Sequence, residues 1–268
     1  MATSASYQAW NEGFTKLGYT SSEADGLLRR SIQLAVQAKN DYLNSIKDTR
    51  DTHQDSHHVD LPIKLVAASC GTFGASLANG SEYTGDFGNT TVEQIMDFHR
   101  KRLQTLLLED GIDVIAFETI PSLLEATAIE RLLRTENFGC PSWISFVGKD
   151  HHHVSSGDLM KDCVSLFTNT SSVIAVGCNC CPPDIVEGLL ESCKEGLNQS
   201  NQLLMCYPNS GEEWKNHEWH SSNLQNETGM DLASIVPRWI NKGAKIIGGC
   251  CRVTPMDIQA ISNIVQSR

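Results

Sequence analysis

Positive charge is scarce in this sequence. Against 32 Asp and Glu stand 21 Lys and Arg, so the 268-residue chain carries a formal net charge of -11. Nucleic-acid binding needs clustered Lys and Arg to neutralise phosphates, and an anionic membrane surface makes the same demand, so neither partner is expected. No apolar run approaches the length of a membrane span. Met1 to Trp10 lack the basic and apolar regions of a secretion signal, which places the protein in the cytosol. The chain also has no dinucleotide fingerprint after a strand, no second CxxC to accompany the Cys178/Cys181 spacing in a closed structural zinc site, no internal repeat and no low-complexity segment. An obvious general acid–base pair is missing as well.

What is present is an ordinary globular composition, 40% hydrophobic and 20% charged. It can bury a core of normal size, and one domain over 1–268 is expected. Short apolar runs rich in Val, Ile and Phe alternate with amphipathic ones. The runs Lys64–Cys70, Val114–Ile120, Trp143–Val147, Val173–Cys178, Leu203–Tyr207 and Lys245–Gly249 predict strands buried on both faces, with a stub at Thr3–Ala9. Helical patterns fall at Ser22–Ile46, Thr91–Glu109, Ser122–Thr135, Asp158–Phe167, Pro183–Lys194, Asp231–Asn241 and Pro255–Val265, several opened by Pro or by Ser, Thr or Asp. Such βα alternation means a parallel sheet. Without a dinucleotide motif, the repeats predict an α/β (β/α)₈ TIM barrel, incomplete at the amino end by about a strand and a half. Asp48–Asp60 reads as a polar surface loop, and Ser69–Asn89 as a long Gly-rich loop on the active-site face.

Ten cysteines need an explanation in a reducing compartment, where disulfide frameworks are rare. Cys70, Cys140, Cys163, Cys193 and Cys206 are scattered and read as small hydrophobes. The other five form two groups, Cys178/Cys180/Cys181 after one strand and Cys250/Cys251 after another. Carboxyl ends of parallel barrel strands open on one face, so the groups can converge. Cys180, Cys250 and Cys251 around one metal would leave a tetrahedral position open, as in a catalytic zinc site. A redox pair, inert core thiols and a closed structural site are the other readings of the same residues. The adjacent pair needs a turn, for which Gly248 and Gly249 supply freedom. Cys178 is expected to face as Cys180 does, one layer deeper in the core, and Cys181 to point away.

Three weaker features complete the inventory. His151-His152-His153 suits a solvated polar loop better than a metal tract. Glu118, near a strand end, is costly to bury unless tied to a Lys or Arg or reserved for a substrate ammonium; its place on the catalytic face favours the second. Asn179 reads as a cap on the following turn.

These segments resemble one family. Gly177-Cys178-Asn179-Cys180 resembles the Gly-x-Asn-Cys segment of the homocysteine S-methyltransferases, and Gly248-Gly249-Cys250-Cys251 their Gly-Gly-Cys-Cys. Phe117-Glu118-Thr119-Ile120-Pro121 resembles their Phe-Glu-Thr-Ile-Pro. Ala5-Ser6-Tyr7-Gln8-Ala9 with Gly13-Phe14 is similar to the end of their second strand. The resemblance implies a zinc-binding barrel that methylates the thiol of L-homocysteine to give methionine. Cys180, Cys250 and Cys251 then take Zn²⁺, Glu118 takes the homocysteine amino group, and no catalytic residue is implied beyond the zinc site. The family's donors include S-methylmethionine, S-adenosylmethionine and betaine, and the Tyr-Gln-Ala segment looks more like the S-methylmethionine branch. The family's first strand, with its Asp-Gly-Gly, has no counterpart here. That implies a chain without the first strand and most of the second, able to self-associate through exposed sheet edges. The alternatives are an impaired or inactive isoform acting as a zinc- or thiol-binding protein, and the homocysteine half of a cobalamin-dependent methionine synthase.

Overall fold

The computed structural model describes residues 1–51, 63–215, 218–220 and 232–267. Its main sheet has seven strands: β1 (Ala2–Thr3), β2 (Val66–Gly71), β3 (Val114–Ile120), β4 (Ser142–Phe146), β5 (Val173–Asn179), β6 (Leu203–Tyr207) and, after a small hairpin of β7 (Glu213–Lys215) and β8 (Glu218–His220), β9 (Ala244–Ile247). All neighbours in the order β1-β2-β3-β4-β5-β6-β9 pair in parallel. Spatial order follows chain order throughout. A doubly wound sheet would reverse at a switch point, whereas a steady progression belongs to a barrel. The sheet is open between β1 and β9, so the architecture is an incomplete (β/α)₈ barrel.

Alternation along each strand divides the core. Ile115 and Phe117 pack on the helices with Ile144, Val176, Cys178 and Cys206, whereas Val114, Ala116, Trp143, Ala175 and Met205 fill the barrel interior. Glu118 follows Val114 and Ala116 on the interior-facing register. Small residues let the strands close up. Gly177 lies so near β6 that a Cβ there would run into the Met205 carbonyl.

Among the described residues the helices are α1 (Asn11–Lys16), α2 (Ser21–Asp51), α3 (Phe73–Leu77), α4 (Val92–Leu106), α5 (Leu123–Thr135), α6 (Met160–Ser165), α7 (Val186–Leu197), α8 (Leu232–Lys242) and α9 (Pro255–Gln266). Capping boxes start two of them, Thr91 with Gln94 and Thr254 with Asp257.

The differences from the sequence reading have local causes. The first strand ends at Thr3, because the next residues turn to meet Arg102: this buried guanidinium donates to the carbonyls of Ser6, Tyr7 and Gly71 and has no carboxylate against it among the described residues. Helix α2 runs on through Asp51, and the rest of the Asp48–Asp60 stretch lies outside the described residues, as does Asp231. The long loop after β2 contains α3 and a 3₁₀ turn at Ser81–Tyr83. Its start is fixed by buried Glu125, which accepts from Thr72 Oγ1 at 2.5 Å and Phe73 N at 2.6 Å and pairs with His99 Nε2 at 2.8 Å. No helix among the described residues is long and apolar enough to cross a membrane.

Candidate metal centre

The mouth of the barrel brings Cys180, Cys250 and Cys251 together, with their sulfurs all within 4.8 Å of one another. Cys180 Sγ and Cys251 Sγ are 3.5 Å apart. All ten cysteines are free thiols. Three sulfurs at ~2.3 Å from a tetrahedral zinc would stand roughly 3.8 Å apart, so a soft divalent metal fits the spacing and the donor type.

The charge balance points the same way. Hydrogen bonds from Cys180 and Cys250 hold Cys251 down at about 3. For Cys180 the bond with Cys250 works downward, but the Cys251 contact and burial outweigh it and push the thiol up to about 12. Contacts with Cys180 and Cys251, together with burial, push Cys250 up as well. Burial and the neighbouring sulfurs thus resist ionisation of Cys180 and Cys250 beside Cys251. A divalent cation is what would let all three ionise side by side.

Backbone geometry builds the cluster. Cys180 has φ 52, Arg252, directly after Cys251, has φ 65, and Thr119, directly after Glu118, has φ 62. Side chains in this left-handed region cost of order 1–3 kcal/mol each and persist only where the surroundings over-determine them. Cys178 lies in the core as expected, but the turn at Cys180 corrects the shared facing. Residue parity would give the two one face, but the left-handed residue swings Cys180 to the mouth, while Cys178 packs on the helix side with Cys181. The glycines before the pair act differently from expectation as well. Neither Gly248 nor Gly249 has a positive φ; Gly249 is needed because a Cβ would collide with the Val253 side chain.

A four-residue clasp after β6 holds both cysteine turns by its backbone. Tyr207 O accepts from Cys180 N at 3.2 Å, and Asn209 N donates to Cys181 O at 3.1 Å. Pro208 O accepts from Cys250 N at 2.8 Å, and Ser210 N donates to Cys251 O at 3.0 Å. Arg252 reaches over the exposed side to Glu212, 2.7 Å away.

Glu118 lies buried beneath this mouth. Ser69 Oγ donates to its Oε1 and Tyr207 Oη to its Oε2, the latter at 3.1 Å. Tyr207 Oη in turn contacts Ser145 Oγ and accepts from Trp143 Nε1 at 3.1 Å. Burial pushes the Glu118 carboxyl above its ordinary range, opposed by these two hydroxyls and by the Arg102 charge farther away. The sequence reading did not find Ser69, Tyr207 or Arg102. Ser69 and Tyr207 stand near strand carboxyl ends, the one signal that could have singled them out.

Asn179 does more than cap a turn. Its Oδ1 accepts from Thr119 N at 2.7 Å and its Nδ2 donates to Thr119 Oγ1 at 2.8 Å, which locks the left-handed Thr119 and hence Glu118 before it. The histidine tract stays apart: His153 Nδ1 is 2.9 Å from Asp150 and His152 Nδ1 is 3.3 Å from Ser192 Oγ.

A parallel barrel with a three-thiol mouth and a buried carboxylate beneath it defines a thiol-centred α/β-barrel protein. Residues 1–265 match the profile of the family described as Homocysteine S-methyltransferase. Homocysteine S-methyltransferase 2 of Arabidopsis thaliana is 42% identical over 270 residues, covering 99% of this chain and 78% of the relative. Selenocysteine Se-methyltransferase of Brassica oleracea var. italica is 43% identical over 270 residues, covering 99% and 75%. Among solved structures, the metallated form of the homocysteine methyltransferase MmuM from Escherichia coli is similar with TM-score 0.77 and 35% identity, covering 98% of this chain and 78% of that one. The chain belongs to the homocysteine S-methyltransferase family and is, by family, a methyltransferase.

Proposed function

We propose that this chain transfers a methyl group from a sulfonium donor, S-methylmethionine or S-adenosylmethionine, to the thiol of L-homocysteine, giving methionine, with Zn²⁺ held by Cys180, Cys250 and Cys251. The convergence of three thiols above a buried carboxylate that has no ion-pair partner among the described residues carries this reading. Bound there, zinc supplies a Lewis acid that keeps an added thiol ionised near neutral pH. Glu118 receives the homocysteine ammonium, and Ser69 and Tyr207 fix the direction of its oxygens. A cation arriving there relieves an otherwise unfavourable buried charge. The homocysteine sulfur then forms a bond to the donor methyl as the methyl–sulfonium bond breaks. The electron pair stays on the leaving sulfur, which departs as a neutral thioether and needs no general acid. Free thiols throughout suit a reducing, cytosolic setting.

The test is direct. Zinc-loaded chain with L-homocysteine should form methionine from S-methylmethionine or S-adenosylmethionine, not from betaine, and chelation should abolish it. Selenocysteine, the acceptor named for the Brassica relative, belongs in the same assay as a competing acceptor. Stoichiometric zinc with no methionine from any donor would favour a zinc- or thiol-binding role instead.

The open sheet adds a second expectation. Among the described residues two strands, β1 and β9, lack a neighbour on one side, and β9 leads directly into Cys250 and Cys251. Unpaired edges invite association between copies. Fusing the amino-terminal segment of a full-length relative, with its Asp-Gly-Gly strand, should raise the melting temperature by several degrees and increase turnover, since about 1 kcal/mol moves the midpoint of a domain this size by ~2–4 °C. A 268-residue chain that sediments as a monomer and matches the fused version in both respects would refute the role of the edges.

A further inference from the structure

Two polar atoms near the mouth are buried and have no hydrogen-bond partner among the described residues: Tyr7 Oη and Glu82 Oε2. Thr119 approaches the Tyr7 hydroxyl without bonding geometry. Tyr83 belongs to the same surroundings. Its hydroxyl lies 4.0 Å from Cys180 Sγ, yet the residue is 53% exposed, so the ring leaves a face uncovered beside the thiols. The charges of Glu82 and Cys180 act on both tyrosines, which places all four groups in one neighbourhood.

This is a built wall rather than a loose loop. Asn79 Oδ1 accepts from Ser81 N at 3.0 Å, Gly80 takes φ 84 to start the turn, and Gly85 N closes it on Ser81 O at 2.8 Å. Gly74 packs so closely under the turn that a Cβ would meet Glu82 N at 2.6 Å. The turn fixes the backbone of half-buried Glu82, and one oxygen of its carboxylate is buried without a partner among the described residues, open to a cation that comes and goes.

We infer that Tyr7, Glu82 and Tyr83 form the subsite for the positively charged sulfur of the methyl donor, separate from Glu118 and its acceptor ammonium. The inference rests on the reading that the donor is a sulfonium. Aromatic faces and a carboxylate both attract such a centre, whose charge is permanent and cannot be shed as a proton. When the methyl–sulfur bond breaks and its electron pair returns to sulfur, that charge vanishes and the neutral thioether loses its hold. The wall thus distinguishes donor from spent donor. Part of the charge is already dispersed in the transition state, so Glu82 tightens the bound donor more than it speeds transfer.

The experiment uses zinc-loaded enzyme saturated with homocysteine. Glu82→Gln should raise the KM for S-methylmethionine about tenfold, with kcat within about threefold of wild type and zinc content and homocysteine affinity unchanged. Tyr83→Phe keeps the ring and should change KM little, whereas Tyr83→Leu should raise it. Unchanged KM in Glu82→Gln, or a fall in kcat at constant KM, would overturn the assignment. Calorimetric titration with trimethylsulfonium separates this inference from the proposed reaction. If wild type transfers no methyl from any sulfonium but binds trimethylsulfonium more tightly than Glu82→Gln does, the subsite stands and the proposed reaction falls. Equal binding to the two proteins removes the subsite.

Discussion

Cys180→Ser should empty the centre of metal. Zinc measured by inductively coupled plasma should fall from about one per chain to a small fraction, and methionine formation should fall with it. A serine hydroxyl is a poor ligand for a soft site near neutral pH, and two thiolates remain where three held the ion. Even groups that merely support metal ligands cost ~10–100-fold when removed, so the loss of a ligand should reach or exceed the upper figure. A free thiol with a pKa near 8.5 is only about 3% ionised at pH 7, which removes most of the nucleophile as well. Cys178→Ala is the matched control: its side chain packs on the helix face of the sheet, so the variant should keep its zinc. Equal zinc in wild type and Cys180→Ser would refute the assignment.

Glu118→Gln should move two quantities in opposite directions. Homocysteine affinity should drop about tenfold to a hundredfold, because a charge-assisted hydrogen bond is worth about 1.5–3 kcal/mol and every 1.4 kcal/mol is tenfold. Zinc content should not change. Stability, by contrast, should rise near pH 7. Burial raises the folded-state pKa of this carboxyl above its unfolded value, so its contribution is fully present below the unfolded pKa and is lost as pH rises through the folded one. The neutral amide escapes that loss. The advantage of the variant should shrink as the solution is acidified toward the ordinary carboxylate range. Unchanged homocysteine affinity would remove Glu118 from the acceptor site, whatever its effect on melting.

The strands most legible in the sequence were the ones buried on both faces. Val114–Ile120 and Leu203–Tyr207 have the limits their apolar runs suggest. Where long-range contacts decide, the pattern was silent. The stub at Thr3–Ala9 has the composition of a strand, but Arg102 captures its carbonyls from ninety-five and ninety-six residues away in sequence. The convergence of the cysteine groups could be anticipated because parallel strands open together. Their fine geometry could not, since it depends on left-handed residues that are not glycine. Glu118 was visible as an acid in an apolar strand, whereas its partners Ser69 and Tyr207 come from other strands. The Ser81–Tyr83 wall gave only the indirect sign of a long Gly-rich loop. The hairpin of β7 and β8 gave none that the alternation of long elements could reveal.

The clasp after β6 ties the history of the centre to chain length. Successive peptide groups face opposite ways, so Tyr207 and Asn209 serve the Cys180 turn while Pro208 and Ser210 serve the Cys250 turn. A proline costs nothing at 208, because only its carbonyl is used there. The hold on the two cysteine turns is carried by the backbone, while the side chains of Asn209 and Ser210 bond forward to Gly211 N and Glu212. A one-residue insertion ahead of Pro208 would instead move the proline into the slot where Asn209 N donates to Cys181 O, and proline has no N–H to give. Lineages descending from such a barrel can rewrite this segment letter by letter, but cannot readily change the number of letters.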